Sequence, residues 1–275
     1  MPSLLPIFMI HQVLPAGTPW ADPYLSITPQ TLAAQIQQLL KTGHRFLTLQ
    51  EAWQRILAGT DVPRAATLTF DDLDLDFVRH ALPILAAARV PATVFAVAGW
   101  LREPPVADAP PDARRLRPAD LKVLAAAGIE IGSHAFSHRV LTGLPDPELR
   151  QELTDSRSFL QDLLGRPVPC LAYPRGRFSP RVLAAAAAAG YACACSTLRG
   201  NVHAADDRYS LKRVRATDRR RGLRLRYATS WLYDCWNQER SRRERIAFAK
   251  EDPFAPNTTP TGAALEAERA LDPAP

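Results

Sequence analysis

Two adjacent carboxylates, Asp71 and Asp72, close a run of β-prone residues, Ala66-Thr67-Leu68-Thr69-Phe70. Such a run predicts a buried strand that delivers its last residues to the rim of a sheet or barrel. Anions side by side resist ionising together unless a cation sits on one of them or one keeps a proton. Downstream, Gly128-Ile129-Glu130-Ile131 leads into Gly132-Ser133-His134-Ala135-Phe136-Ser137-His138, where two imidazoles stand four residues apart. On one helical turn or in a tight loop that spacing turns both rings the same way. Two neutral nitrogens and one carboxylate, with room left for water, form the ligand set of a catalytic divalent site. Each motif alone has a plainer reading: Asp71 and Asp72, with Asp74 and Asp76, could cap a helix starting near Phe77, and the histidines could sit on a surface helix. Their joint occurrence, each at the end of an apolar run in a strand-helix alternation, favours the chemical one.

A third stretch, Cys170-Leu171-Ala172-Tyr173-Pro174-Arg175-Gly176, reads as a strand and its exit. A Pro-x-Gly turn frees backbone N–H groups that can hold an oxyanion. Taken in order, Thr69-Phe70-Asp71-Asp72, Ser133-His134 to His138 and Tyr173-Pro174-Arg175-Gly176 resemble the first three signature motifs of the polysaccharide deacetylase (NodB-homology, carbohydrate esterase) family. The resemblance runs from roughly Pro6 to Asp218. It implies a distorted (β/α) barrel and removal of acetyl groups from amino sugars or esters. It also implies a divalent metal, zinc foremost with cobalt, nickel or iron(II) as alternatives.

Carried over by position, the resemblance makes Asp72, His134 and His138 the metal ligands and Asp71 the base. The N–H of Arg175 becomes the oxyanion donor, and Tyr173, Pro174 and Gly176 line the substrate; Trp100, outside these motifs on the shoulder of the following loop, could stack on a sugar face or be a plain core or rim residue. His11 inherits the acid role from the branch containing exported poly-N-acetylglucosamine deacetylases. No Leu-x-His motif follows Gly176, and His203, the one later histidine, is the second choice. Three positions depart from the family pattern. Leu73 stands where glycine is frequent, Ala172 where many relatives have an arginine bracing the base, and Arg175 where an aromatic is usual.

The expected reaction is deacetylation of an N-acetylated sugar or glycan. A deformylase, amidase or O-acetyl esterase on the same scaffold is the alternative, and a non-catalytic sugar-binding module a weaker one.

These residues need elements to hold them. The 275 residues suffice for one barrel with a short extension. Ile7 to Ile10 predicts a first strand ending at His11, on the rim where barrel enzymes keep their chemistry. Thr28-Pro29 opens a helix whose Leu32, Ile36 and Leu39 keep a 3.6 spacing to Gly43. Further strands are expected over 45–49, 92–97, 191–196 and 211–214, and further helices over 50–57, 78–88, 118–127, 146–164 and 180–189. Trp100 leads into the proline-rich stretch 102–111, a loop expected to overhang the site.

Cys193 and Cys195, two apart on one strand face, are expected as buried thiols, which fits a reducing compartment. The N-terminus lacks a basic stretch and a small-residue cleavage site, so a cytoplasmic protein is expected. Residues 219–250 carry ten basic against three acidic residues, a net +7 in a chain of +6, so the remainder is near −1. The barrel itself is thus not expected to bind nucleic acid. The division is a barrel over 1–218, a basic, aromatic extension over 219–251 and a disordered tail over 252–275. The extension suits either a helix packed on the barrel, which is preferred, or peripheral contact with an anionic membrane. Oligomeric state is left open.

Overall fold

The computed structural model describes residues 4–19, 21–60, 62–102 and 116–255. The expected overhanging loop after Arg102 and the tail beyond Ala255 lie outside them.

In chain order the elements are β1 (Ile7–Ile10), β2 (Gln12–Val13), β3 (Ser26–Ile27), α1 (Pro29–Lys41), β4 (Arg45–Phe46), α2 (Leu49–Leu57), β5 (Ala65–Phe70), α3 (Leu82–Ala88) and β6 (Thr93–Ala96). There follow α4 (Pro118–Ala126), β7 (Glu130–Ser133), α5 (Asp146–Leu164), β8 (Cys170–Ala172), α6 (Pro180–Ala188), β9 (Cys193–Arg199), β10 (Leu211–Arg215), α7 (Leu223–Ala228) and α8 (Trp231–Lys250). Strand order β1-β10-β9-β8-β7-β6-β5 closes through β1–β5 pairing into a parallel seven-stranded barrel, with β4 added to the start of β5. The stretch 78–88, expected as one α-helix, instead opens within a single π turn, Phe77–Ala81, before α3.

Local chemistry sets the helix starts. Thr28 Oγ1 accepts the Thr31 N–H before Pro29, Thr48 Oγ1 accepts that of Glu51, and Ser179 Oγ accepts that of Val182. Gly165, at φ 64°, ends α5 in the left-handed conformation that glycine adopts without penalty.

Period-two alternation sorts the strand side chains. On β1 and β5, Ile7 and Ala65 point into the barrel, while Phe8, Ile10, Ala66, Leu68 and Phe70 point out to the helices. The barrel interior is filled by Phe95, Cys170, Ala172, Cys193, Cys195 and Leu211 and closed by Leu5, Trp53 and Val202. Both expected thiols are buried and free. Gly132 is required there, because a Cβ would come within 2.6 Å of the Phe95 ring. The inward row of β5 continues through Thr69 to Asp71, and that of β10 through Leu211 to Arg213, so both charged groups arrive inside the same mouth.

Helix α8 packs along β9 with Tyr233, Asn237 and Ser241 buried. Ser241 Oγ accepts from Arg199 N–H and donates to Arg199 O. The tail boundary at Asp252 was placed too early. That residue is buried and accepts from Ser179 Oγ and from Arg181 Nε and a terminal Arg181 nitrogen at 3.1 and 2.8 Å, a contact across 71 positions that local composition cannot reveal.

Candidate metal and catalytic site

Asp71 and Asp72 leave β5 in opposite directions. Asp71 is buried, and its N–H donates to Ile10 O at 2.8 Å, fixing it beside the end of β1. Arg213, fully buried, grips it with two parallel bonds of 2.7 and 2.8 Å. Arg213 is itself oriented by bonds to Ser196 O and Thr69 Oγ1. Burial pushes the Asp71 carboxyl up, but the guanidinium's charge and hydrogen bonds outweigh this and hold it well below the ordinary carboxylate range. Asp71 is thus kept ionised.

Arg213 is the functional residue the sequence reading missed. Ala172, where an arginine brace was looked for, instead offers its carbonyl to His134 Nδ1 at 2.7 Å. The brace in this chain comes from β10, two strands along the barrel from Ala172. Its strand, Leu211-Lys212-Arg213-Val214-Arg215, carries three basic residues, so nothing in the local sequence sets Arg213 apart.

Asp72 turns the chain with φ 69°, followed by Leu73 at φ 57°. A left-handed non-glycine residue costs roughly 1–2 kcal/mol. Leu73 is only 5% exposed, and burial of leucine is worth roughly 1.5–3 kcal/mol. Burial of the side chain therefore offsets the strain at the position where the resemblance led glycine to be expected.

Beyond β7 the histidines occupy a tight loop, with Ala135 and His138 both at φ 63°. Glu152 of α5 clamps it, accepting from Phe136 N–H and Ser137 N–H at 2.9 Å each and from Ser137 Oγ. The rings of His134 and His138 lie 4.9 Å apart. Since His134 Nδ1 donates to a carbonyl, its Nε2 is left as an acceptor, 3.5 Å from Asp72 Oδ1; His138 Nε2 lies 3.3 Å from the same oxygen. Burial and then His134 lower the His138 pKa against the pull of Asp72, which favours its neutral form.

Asp72 Oδ1 is buried and has no hydrogen-bond partner among the described residues. Acceptor atoms of Asp72, His134 and His138 all lie within 4.8 Å of one another. Three converging acceptors, one an orphaned carboxylate oxygen, fit a divalent cation in the manner of a two-nitrogen, one-oxygen site.

His11 Nε2 lies 3.8 Å from Asp71 Oδ2, at the same mouth. Burial lowers its pKa, opposed by Asp71 and Asp72. His203 is elsewhere, with Nε2 3.2 Å from Asp234 Oδ2 beside α8. Trp100 is half-buried with its ring 5.5 Å from that of His138, and its stem is tied to the histidine loop by Gly99 N–H on Phe136 O at 2.7 Å.

The substrate-lining expectation needs correction for Tyr173, Pro174 and Gly176, which are all buried. The Tyr173 hydroxyl donates to Tyr209 O at 2.8 Å, so this side chain braces the wall. Gly176 is required by packing, since a Cβ would meet Thr197 at 2.2 Å. Arg175 alone in this turn is exposed, at φ 57° and ψ 12°, with its guanidinium near enough to His138 to depress its pKa.

Comparison with known proteins agrees with this geometry. The polysaccharide deacetylase family profile matches residues 58–194. YxkH of Bacillus subtilis (strain 168), a chain assigned to the polysaccharide deacetylases, is 27% identical over 218 residues, 78% of this chain and 72% of its own. A poly-beta-1,6-N-acetyl-D-glucosamine N-deacetylase of Staphylococcus epidermidis is 35% identical over 72 residues, 26% of this chain and 25% of the relative. The structure of the Streptococcus pyogenes deacetylase PplD in complex with acetate superimposes with a TM-score of 0.75 at 25% identity, over 84% of this chain and 100% of that one. By its ordered motifs, its closed parallel barrel and these likenesses, the chain belongs to the polysaccharide deacetylase family.

Proposed function

We propose that this chain hydrolyses the acetamido group of an N-acetylated sugar within a glycan, with a divalent ion, zinc foremost, held by Asp72, His134 and His138. The observation that carries the reading is the placement of an ionised, arginine-braced carboxylate, Asp71, directly beside a three-acceptor cluster whose Asp72 oxygen has no hydrogen-bond partner among the described residues. The N-acetyl specificity draws on the segment shared with the Staphylococcus epidermidis N-deacetylase. The compartment proposed is the cytoplasm, on the free buried thiols.

When bound, the ion would supply Lewis acidity at the acetyl carbonyl and acidify a water nearby. Asp71 accepts the proton of the attacking water, and Arg213 keeps it from being protonated beforehand. His11, neutral at rest and 3.8 Å from Asp71 Oδ2, takes that proton on from Asp71 and passes it to the departing amine nitrogen. The Arg175 N–H, at a strand exit, donates to the developing oxyanion. Trp100, at the wall beside His138, offers a face for the sugar ring.

The decisive assay follows acetate or formate release from N-acetyl, O-acetyl and N-formyl sugars by metal-stripped and metal-restored protein. N-acetyl substrates should turn over only after restoration. Asp71→Asn should bind the metal and lose roughly a hundred- to ten-thousand-fold in turnover. Preferred turnover of the O-acetyl or N-formyl members, or full activity after stripping, would overturn the reading.

A further inference from the structure

Five exposed apolar side chains fall within one short stretch: Leu223 (79% exposed), Tyr227 (39%), Trp231 (53%), Leu232 (51%) and Trp236 (81%). The opposite sides of the same helices are packed, through Leu225 and Ala228 of α7 and Tyr233, Asn237 and Ser241 of α8. Single exposed apolar residues need no explanation, but a cluster of this kind marks a contact surface.

The charges around it are distributed unevenly. Arg240 pairs with Glu244, and Arg242 and Arg243 both pair with Glu239, so three of the five cations in the later turns of α8 are matched with anions. Arg219, Arg224 and Arg226 are exposed and have no carboxylate partner among the described residues. Asp234, the one acid between positions 219 and 238, is turned inward onto Asn201 and His203. Unmatched cations thus occur on the stretch where the tryptophans and leucines protrude.

We propose that this surface docks peripherally on an anionic lipid bilayer. The arginines meet headgroup phosphates, while Leu223, Trp231, Leu232 and Trp236 enter the boundary between headgroups and acyl chains. No described helix is long and apolar enough to cross a membrane, so the contact is interfacial. A nucleic acid would match the arginines and leave the leucines uncovered. A second copy, in a two-fold contact, would bring Arg219, Arg224 and Arg226 against the same residues of its mate.

The surface also has a definite orientation. Gln38, in the last turn of α1, donates to Gly222 O and accepts from Gly222 N–H, whereas Thr28, at the start of α1, is bonded to Asp218. Because α1 returns the chain between parallel strands, its last turn lies at the barrel end opposite Asp71 and the histidines. A docked molecule therefore turns its mouth away from the lipid, which suits a glycan standing off the surface; this last step rests on the deacetylase reading, the docking does not.

The test is co-sedimentation of the full chain with phosphatidylcholine vesicles prepared with and without phosphatidylglycerol, at low and high salt, with tryptophan emission recorded. Wild-type protein should bind only the phosphatidylglycerol vesicles, less at high salt, with a blue shift. Arg219→Ala/Arg224→Ala/Arg226→Ala should bind roughly a hundredfold more weakly. Leu223→Ser/Trp236→Ser should lose the blue shift. Circular dichroism checks the fold of both variants, and turnover on a soluble N-acetylated glycan should match the wild type. Absent turnover in every protein would count against the proposed activity and leave the docking result readable. Failure of wild-type protein to bind anionic vesicles at low salt, equal binding by both variants, or a dimer dissolved by Leu223→Ser/Trp236→Ser would overturn the docking.

Discussion

Asp71 and Arg213 form a buried ion pair in which neither partner is tolerable alone. Pairing and two hydrogen bonds compensate desolvation that would otherwise cost several kcal/mol per ion. Arg213→Met should therefore destabilise the fold by roughly 3–5 kcal/mol, by stranding a carboxylate that is 2% exposed. Asp71→Asn/Arg213→Met should cost less than the sum of the single changes, by roughly 0.5–3 kcal/mol of coupling in urea denaturation. Additive costs would mean that the two groups do not depend on each other. The two halves of this pair were unequally legible in the sequence. Asp71, Asp72, His134 and His138 announce themselves because each ends an apolar run. Arg213 does not, because its role comes from the register of β10 beside β9 and β1, which no local pattern encodes. Tyr173 failed in the other direction, a motif residue whose side chain turns out to be wall.

At the scale of elements, the site depends on two acids that tie its loops to neighbouring strands and helices. Glu152 reaches from α5 to bind two backbone N–H groups and a hydroxyl of the histidine loop. Outer partners of this kind typically matter by 10- to 100-fold in metal affinity. Glu152→Ala should weaken zinc binding by about that factor in calorimetry while all three ligands remain; unchanged affinity would show that the loop holds its shape unaided. Asp76, beyond the turn after β5, accepts the Val13 N–H at 2.6 Å and so fastens β2, two residues past His11, to the loop carrying Asp71 and Asp72.

Burial, aided by Asp74 and opposed by the Val13 bond, pushes the Asp76 carboxyl up to about 7. A carboxyl raised above its unfolded value of 3.8 gives stability that is complete below that pH and is lost as pH rises towards 7. The loss is on the order of 4 kcal/mol. Asp76→Asn keeps an acceptor for Val13 and removes the titration. Its urea midpoint should vary less between pH 5 and 8 than that of the wild type, and at pH 8 it should be the more stable protein. A variant with the wild-type pH dependence would remove Asp76 from the account. The helix start at Thr28-Pro29 was readable because caps are local, but Thr48, expected inside a strand over 45–49, instead caps α2, and neither Glu152 nor Asp76 could be assigned a partner 16 or 63 positions away.

For the whole molecule, the chain after the last barrel strand is held at both ends. At its start, Gln35 donates to Thr217 O and Arg220 O, and Asp218 accepts from Thr28. At its end, Asp252 accepts from Ser179 and Arg181, while Arg181 also pairs with Asp146 of α5 and Arg177 with Glu251. Ser179 and Arg177 follow directly on the Tyr173–Gly176 turn, so the end of α8 is coupled to a wall of the mouth. The sequence suggested that α8 could pack, but its charge pattern gave no hint of where it would end.

Asp252 is the keystone of that end, with a side chain fully shielded from solvent. Its pKa is lowered, because bonds from Arg181, Ser179 and Phe254 outweigh the opposing effect of burial. A depressed carboxyl contributes stability that is present above its unfolded value and is lost as pH falls through the folded one. Asp252→Ala should therefore lower the urea midpoint at pH 7, leaving Arg181 without its main partner at a cost of roughly 3–5 kcal/mol. The difference from wild type should shrink as the pH is taken below about 4. Amide exchange should rise first over α8 and the turn after β8, with the β1–β5 pairing protected longer. Uniform loss of protection across the barrel, or a difference from wild type that grows in acid, would show that α8 is secured by its packing on β9 alone.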